Sequence, residues 1–192
     1  MPFHPTPLAD LLVFEPRVMN DERGYFFEAY NERLFREAGI NLDFVQDNQS
    51  FSKRGVVRGL HFQLDPYAQD KLVRVLQGVI LDVAVDIRKD SPTYGQAYSI
   101  ELSAENKKQL LVPVGFAHGF CVLSETAAVM YKCSTFYRKE AEGGIRFDDP
   151  SLNIDWGLPK EELVLNEKDK ELPTLADCQH NFVYTPKDKT VA

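Results

Sequence analysis

The sequence predicts a mainly β domain, either a β-sandwich or a barrel. From residue 44 onward, short segments rich in Val, Ile, Phe, Tyr and Leu follow one another, separated by turns such as Asp65-Pro66 and Pro113-Val114-Gly115. Many short strands at nearly regular spacing are typical of sandwiches and barrels. The predicted strands are Leu11–Phe14, Tyr25–Tyr30, Phe44–Ser50, Val56–Leu64, Lys71–Gln77, Val79–Arg88, Gln96–Leu102, Gln109–Val112, Gly119–Leu123 and Ala127–Phe136.

Helices are expected to be few and short. Asn31 is a suitable N-cap for a helix over Glu32–Ala38, and Gly39 is a suitable stop. Shorter helical pieces are expected around Glu161–Leu163 and Lys168–Glu171. The 192 residues fit a single domain, since domains contain roughly 150 residues. We expect an N-terminal arm (residues 1–15), irregular over its first ten residues, and a C-terminal tail (residues 175–192), both peripheral to it.

Composition and charge restrict the function. The net charge of −7 argues against nucleic-acid and membrane partners, because both favour a basic surface. Cys121, Cys133 and Cys178 show no CxxC spacing, and their odd number fits reduced thiols. The chain has no apolar run near the length of about 20 residues that spans a bilayer, and we expect no signal peptide. A cytoplasmic location is therefore predicted.

Cations and a histidine interrupt the predicted strands between residues 56 and 88. Alternation places His61 on one face with Val57, Gly59 and Gln63, which resembles a cavity lining more than a packed core. Arg58 falls on the opposite face unless Gly59 marks a β-bulge. A satisfied core histidine remains the alternative for His61.

Further polar residues could share such a cavity. Lys71 and Arg74, with Arg58 and Arg23, offer cations for a phosphorylated ligand, although Lys71 also fits an exposed strand end. Tyr131 lies in an apolar strand, where most tyrosines are core residues with a bonded hydroxyl. Gln46 and Asn48, at i and i+2, share one strand face and suit either a polar ligand or a sheet edge. The chain lacks GxSxG, P-loop and GxGxxG motifs.

The run Pro113–Phe120 contains a PxGxxH pattern, which resembles the second signature of the cupin superfamily. Metal-binding cupins also have an HxH in their first signature, where this chain has His61-Phe62-Gln63. The chain has four histidines in all, and His4 and His180 lie in the terminal regions. We therefore predict that the site uses no metal.

Taken together, the segments closely resemble the dTDP-4-dehydrorhamnose 3,5-epimerase family over roughly residues 8 to 175. The segments that match, in the family's order, are Asp21–Gly24 with Glu28, Phe44–Asn48, Arg58–Gln63, Ala68–Arg74, Asp82–Arg88, Leu102–Lys107, Pro113–Phe120, Tyr131–Lys132 and Glu167–Asp169. Gln49 and Asn166 depart from the usual His and Ser of the family.

The resemblance implies a jelly-roll, cupin-type β-barrel that forms a homodimer in which N-terminal segments reach the neighbouring subunit. It also implies epimerisation of dTDP-4-dehydro-6-deoxy-D-glucose at C3 and C5, without a cofactor. In the implied roles His61 is the base, Asp169 orients it, Lys71 lies near the C4 oxygen and Tyr131 donates a proton. The implied substrate-binding residues are Arg23, Glu28, Gln46, Asp47, Asn48, Arg58, Lys71, His118, Glu142 and Lys168.

Other functions remain open on the sequence alone. Relatives within the enzyme class epimerise C3 only, or isomerise the ketone between C3 and C4. A non-catalytic sugar-nucleotide-binding cupin belongs to a different class, as does a metal-dependent cupin. The combination of base, cation and proton donor favours the double epimerase, because a binding protein has no need of a proton donor.

Overall fold

Two antiparallel sheets face each other in the computed structural model, which describes residues 2–186. The strand order is β1-β2-β10-β7-β12-β5 in the six-stranded sheet and β13-β6-β11-β8-β9 in the five-stranded sheet; β3 and β4 form a separate hairpin. The strands are β1 Phe3–Pro5, β2 Leu12–Phe14, β3 Met19–Asp21, β4 Gly24–Phe26, β5 Gln46–Lys53, β6 Val57–Gln63, β7 Lys71–Gln77, β8 Val79–Asp86, β9 Ala97–Ser103, β10 Gln109–Val112, β11 Phe116–Val122, β12 Thr126–Cys133 and β13 Glu142–Gly144. The helices are α1 Glu32–Glu37 and α2 Glu167–Lys170, with 3₁₀ turns at Lys139–Ala141 and Lys160–Glu162.

This arrangement is a jelly-roll, cupin-type barrel, so the predicted fold class is confirmed. The predicted bounds of Lys71–Gln77 and Gln109–Val112 are those observed. β11 starts three residues before the predicted Gly119, since Phe116 and Ala117 already pair with β8. The predicted strand Tyr25–Tyr30 ends at Phe26, which pairs with Met19, the first residue of β3.

Alternating side chains divide the apolar residues into three clusters. One fills the barrel interior between the sheets and contains Val73, Phe120 and Val129. A second covers the outer face of the five-stranded sheet with residues from the C-terminal third. The third lies on the outer face of the six-stranded sheet beneath α1, whose Phe35 is 1% exposed. Apolar residues therefore cover the outer faces of both sheets and fill much of the interior. A polar site is expected at the end of the interior that these clusters do not fill.

Both ends of the described chain are more integrated than predicted. The first residues are not an irregular arm, because β1 pairs with β2 and Leu11 is fully buried in the interior cluster. The tail is not peripheral up to residue 184, because Leu175 and Phe182 are buried against the five-stranded sheet. The remainder of the predicted tail, residues 187–192, lies outside the described residues. The apolar residues of both terminal segments are separated by prolines and polar residues. They therefore form no periodic pattern from which these contacts could be predicted.

The first helix agrees closely with its prediction. The Asn31 side chain accepts a hydrogen bond from the Leu34 amide, and the helix ends at Glu37, one residue before the predicted end. The other predicted helical pieces are found as the Lys160–Glu162 turn and as α2. Within residues 2–186, helices are too short and too polar for any of them to cross a membrane.

Candidate active site

The polar end of the barrel interior opens into two adjoining cavities. One has a volume of about 150 Å³, and its neighbour about 270 Å³. His61, Lys71 and Tyr131 line both. The smaller cavity is completed by Ser50, Arg58, His118, Phe120, Asn166 and Asp169. The larger is completed by Gln46, Asn48, Phe62, Gln63, Gln69, Tyr137 and Glu142.

A β-bulge in β6 brings Arg58 to the cavity. His118 and Phe120 of β11 are two residues apart, whereas their β6 partners, His61 and Arg58, are three apart. The extra residue sits at Gly59, whose φ of +124° favours glycine, and an added Cβ would lie 2.6 Å from the backbone of β11. Arg58 and His61 therefore share the inner face.

The same bulge corrects one prediction from alternation. Val57 was expected on the His61 face, but it packs instead in the cluster outside the sheet. Gln63, two residues beyond His61, does share the cavity wall as predicted. The Arg58 Nε donates to Ser52 Oγ at 3.0 Å, which holds the guanidinium across the interior.

His61 forms a close pair with Asp169, which α2 supplies from the C-terminal third. The distance from His61 Nε2 to Asp169 Oδ1 is 2.8 Å, and the other oxygen, Oδ2, accepts from the Gly59 amide at 3.3 Å. Burial would raise the pKa of Asp169, but the hydrogen bond and charge of His61 lower it below its usual range. An ionised carboxylate can only accept, so Nε2 donates and Nδ1 carries the lone pair.

Lys71, at the start of β7, is a cation without a close anion. Within residues 2–186, no carboxylate oxygen lies within ion-pairing distance of its ammonium, although ion pairs such as His61–Asp169, His118–Asp82 and Lys168–Glu142 lie nearby. Burial lowers the pKa of Lys71, while Cys133, Asp82 and Glu142 oppose that shift. A partly desolvated, unpaired ammonium in a cavity is well placed to stabilise negative charge on a bound molecule.

Tyr131 lies on β12, opposite β6 across the interior. Burial raises the pKa of its phenol; a thiolate at Cys133 would act in the same direction, and Arg58 and Asn48 oppose the shift. The phenol therefore keeps its proton at neutral pH. A protonated hydroxyl on the cavity wall that faces His61 can act as a proton donor.

A second histidine–carboxylate pair lies beside the first. His118 on β11 is the cross-strand partner of His61, and its Nε2 is 2.8 Å from Asp82 Oδ1 of β8. The side chain of His118 is 8% exposed and that of Asp82 fully buried. Among the described residues, Asp82 Oδ2 has no hydrogen-bond partner.

Polar side chains of the larger cavity are connected to one another. Gln46 Nε2 donates to Asn48 Oδ1 at 3.0 Å, which confirms that these residues share the inner face of β5. Glu142 Oε2 accepts from Lys168 Nζ at 2.6 Å and from Tyr137 Oη at 3.0 Å. Burial would raise the pKa of Glu142, and these two donors lower it.

Four of the predicted binding residues lie outside the cavity walls of their own chain. Asp47 points to the outer face of β5, where it pairs with Lys132 at 3.0 Å. Arg23 is exposed on the β3–β4 hairpin and pairs with Asp21. Glu28 follows that hairpin and accepts from the Asn31 side chain. Lys168 belongs to neither cavity wall and reaches the site only through Glu142.

Sequence reasoning missed several residues of the site. Asp82 was a detectable signal, because it is a lone carboxylate within the apolar run Ile80–Val85. Gln63 had been placed on the correct face but given no role; its amide holds the backbone of Tyr67, Phe136 and Arg138. Tyr137 gave no signal, since its position depends on a loop, and Asn166, the N-cap of α2, stood out only as a departure from the family's usual Ser. Within residues 2–186, no three His, Cys, Asp or Glu side chains are arranged to hold a metal ion.

A histidine–aspartate pair, a facing tyrosine and a partly buried lysine in a cupin barrel define a class of protein: an isomerase that moves protons beside a carbonyl. The model of one family, dTDP-4-dehydrorhamnose 3,5-epimerase, matches residues 5–177. The chain belongs to this family.

Individual relatives agree with that assignment. The chain is 55% identical to the dTDP-4-dehydrorhamnose 3,5-epimerase of Shigella flexneri over 165 residues, 85% of this chain and 90% of that one. A Legionella pneumophila 3,5-epimerase crystallised with dTDP-4-keto-L-rhamnose is 46% identical, with a TM-score of 0.87 and coverage of 91% and 93% of the two chains. A 3'-monoepimerase from Streptomyces bikiniensis, in complex with dTDP-quinovose, is 32% identical with a TM-score of 0.83, covering 90% and 87%.

Proposed function

We propose that the protein epimerises C3 and C5 of dTDP-4-dehydro-6-deoxy-D-glucose to give dTDP-4-dehydro-L-rhamnose, a step of dTDP-L-rhamnose biosynthesis. The observation that carries this proposal is that His61, Lys71 and Tyr131 line one cavity, with Asp169 bonded to His61. Membership of the family and the ligand of the Legionella pneumophila relative support the choice of substrate.

The reaction needs a base, an acid and a stabilised enolate. The C4 ketone acidifies the protons on C3 and C5, and His61 Nδ1 removes one of them. The electron pair of the broken C–H bond moves to the C4 oxygen, where the Lys71 ammonium stabilises the enolate. The Tyr131 phenol then delivers a proton to the opposite face of the carbon, which inverts it. Asp169 stabilises the imidazolium that His61 becomes and fixes the orientation of its ring.

Deprotonation and reprotonation are then repeated at the second carbon, and Lys71 again stabilises the enolate at the C4 oxygen. Proton exchange with solvent must restore the neutral imidazole of His61 and the phenol of Tyr131 between the two steps. His61 is 30% exposed and lies in both cavities, so water can reach it. These residues require no cofactor for this chemistry.

The remaining residues of the site are proposed to bind the nucleotide-sugar. The Arg58 guanidinium suits the diphosphate, because Arg matches phosphate oxygens bidentately. Gln46, Asn48 and Glu142 offer hydrogen bonds in the larger cavity. His118 faces the sugar beside His61, and Lys168 acts through Glu142.

We also propose a homodimer in which the β3–β4 hairpin completes the site of the partner. Met19, Tyr25 and Phe26 on this hairpin are at least half exposed, and exposed apolar clusters mark interaction surfaces. Arg23 and Glu28, which the family resemblance assigns to the substrate, lie away from the cavities of their own chain. A partner's cavity would account for both facts; Asp47 on the outer face of β5 would then lie near the same interface.

A cytoplasmic location is part of the same proposal. The thiols of Cys121, Cys133 and Cys178 are all free in the described structure, as is usual for proteins of reducing compartments. Fractionation of the native cells with a tagged protein would test it.

The primary experiment is NMR of dTDP-4-dehydro-6-deoxyglucose incubated with the protein in D₂O. Deuterium at both C3 and C5 with formation of the L-lyxo product is expected. Exchange at C3 alone would make the protein a monoepimerase, like its Streptomyces bikiniensis relative. Binding without any exchange would contradict an enzymatic function and favour a binding protein.

Mixing two inactive variants tests whether each active site contains residues of both subunits. His61→Ala and Arg23→Ala should each be inactive as homodimers. Co-expression should restore about a quarter of the wild-type activity, because half of the dimers are mixed and each has one intact site. No recovery, with mixed dimers verified by mass spectrometry, would place Arg23 outside the partner's site.

A further inference from the structure

Asp82 is a buried carboxylate to which the proposed mechanism gives no role. It is fully buried in β8 among apolar residues, where an ionised group is costly unless it has partners. Its Oδ1 is 2.8 Å from His118 Nε2, while its Oδ2 has no hydrogen-bond partner in the described residues. Asn or Gln could accept the same hydrogen bond at lower cost, so the negative charge itself demands an explanation.

We propose that Asp82 is a positioning residue that keeps His118 protonated, so that the His118 ring donates a hydrogen bond to the C4 oxygen of the substrate beside Lys71. This inference rests on the proposed function and assigns a second donor to the same enolate.

The geometry around His118 supports this role. Because Asp82 accepts from Nε2, the hydrogen of that nitrogen is fixed and Nδ1 is the ring atom without a partner among residues 2–186. His118 lines the smaller cavity together with His61, Lys71 and Tyr131. A proton on Nδ1 therefore makes His118 a charged donor on the wall where the enolate forms, and charge-assisted donors are about twice as strong as neutral ones.

Charges on the elements around His118 explain why a carboxylate is needed. Arg58 and Lys71 are cations on the same cavity wall, and His61 becomes one during the proposed reaction. Their positive charges disfavour an imidazolium at His118. Asp82 is the carboxylate in direct contact with the ring and offsets that repulsion. The titratable and charged groups facing His118 are Arg58 and His61 on β6, Lys71 on β7, Asp82 on β8, Tyr131 on β12 and Asp169 on α2.

Asp82→Asn is the decisive variant because it preserves the shape and one acceptor but removes the charge. We expect kcat to fall by about tenfold or more, with KM changed by less than about threefold, since the interaction strengthens only with the enolate. Deuterium exchange at C3 and at C5 should slow in equal proportion, because both steps share one C4 oxygen. Activity should be lost at a lower pH on the basic side than in the wild type, since neutral His118 no longer donates.

Asp86→Asn is the matched control. Asp86 is also a fully buried carboxylate of β8, but it binds Arg88, Ser91 and Thr93 outside the cavities. Its loss should lower the melting temperature and leave kcat and the pH profile unchanged. Asp82→Glu, which keeps the charge, should recover part of the lost kcat.

A direct measurement covers the case in which Asp82→Asn folds poorly. In ¹⁵N-histidine-labelled wild-type protein, the ring nitrogens of His118, assigned with His118→Gln, should show an imidazolium at neutral pH. A neutral His118 ring in the wild type, or an Asp82→Asn protein with unchanged kcat and pH profile, would overturn the proposal. If the wild type itself fails to exchange C3 and C5, the proposed function fails instead.

Discussion

The two histidine–aspartate pairs have the same contact distance but different surroundings. Each has Nε2 bonded to a carboxylate oxygen at 2.8 Å. The side chain of His61 is 30% exposed, whereas that of His118 is 8% exposed. Asp169 comes from α2 and has both oxygens bonded; Asp82 comes from the adjacent strand and has one oxygen bonded. A base must exchange protons with solvent at each turnover, while a fixed donor does not, so the difference in exposure suits different functions.

The elements that hold the two pairs also differ. His118 and Asp82 are on neighbouring strands whose backbone hydrogen bonds continue on either side of them. Asp169 is on a one-turn helix, and the Asn166 side chain caps it by accepting from the Asp169 amide at 2.6 Å. The first pair therefore depends on a cap in a loop-rich segment, and the second on the barrel itself.

The largest expected effect is that of His61→Ala. Turnover should fall by roughly 10²- to 10⁴-fold, the contribution typical of general base catalysis. Exchange at both C3 and C5 in D₂O is the measurement, with His4→Ala, on an exposed histidine of β1, as the control. Near-normal turnover of His61→Ala would remove this residue from the mechanism and leave His118 as the candidate base.

Lys71→Met should separate catalysis from stability. Loss of the cation at the C4 oxygen should reduce kcat by about 10²-fold or more. Because burial lowers the pKa of Lys71, its charged form is disfavoured by folding, and Met should raise the free energy of unfolding by about 1 kcal/mol. Denaturant titration measures the free energy of unfolding. A variant that is both active and less stable would show that Lys71 is a structural residue.

Tyr131→Phe should affect one carbon more than the other. Removing the phenol deletes the proposed proton donor, so inversion at C5 should slow by about 10²-fold while substrate binding is largely retained. The ratio of deuterium incorporated at C5 and C3, together with Kd from calorimetry, reports this effect. A large loss of affinity with unchanged exchange would mean that Tyr131 binds the sugar and does not protonate it.

Local patterns predicted the parts of the site that lie within single strands. The period of two placed Gln46 with Asn48, and His61 with Gln63, on the inner faces where they are found. The same period misplaced Val57, because one extra residue at Gly59 reverses the alternation, and only the pairing with β11 reveals it. The bulge had been anticipated as the condition under which Arg58 would enter the cavity.

Contacts between distant segments were beyond pattern-based reasoning. His61 and Asp169 are 108 positions apart, and only the family resemblance linked them. Phe182 packs against Phe62 with ring centroids 5.8 Å apart, although the tail around it resembles a loop in composition. Such pairs depend on the closure of the barrel, which determines which strands become neighbours.

The smallest expected effect concerns acid stability and the first pair alone. Since the pKa of Asp169 is held below its ordinary value of 3.8, this carboxylate stabilises the fold above that pH, and the stabilisation is lost as pH falls through the lowered value. Asp169→Asn should therefore show a shallower loss of unfolding free energy between neutral and strongly acidic pH. The slope should not vanish, because the pKa values of Asp86, Asp148 and Glu142 are also lowered. Denaturant titrations at several pH values measure it, and identical slopes for variant and wild type would mean that His61 stabilises Asp169 no more than solvent does.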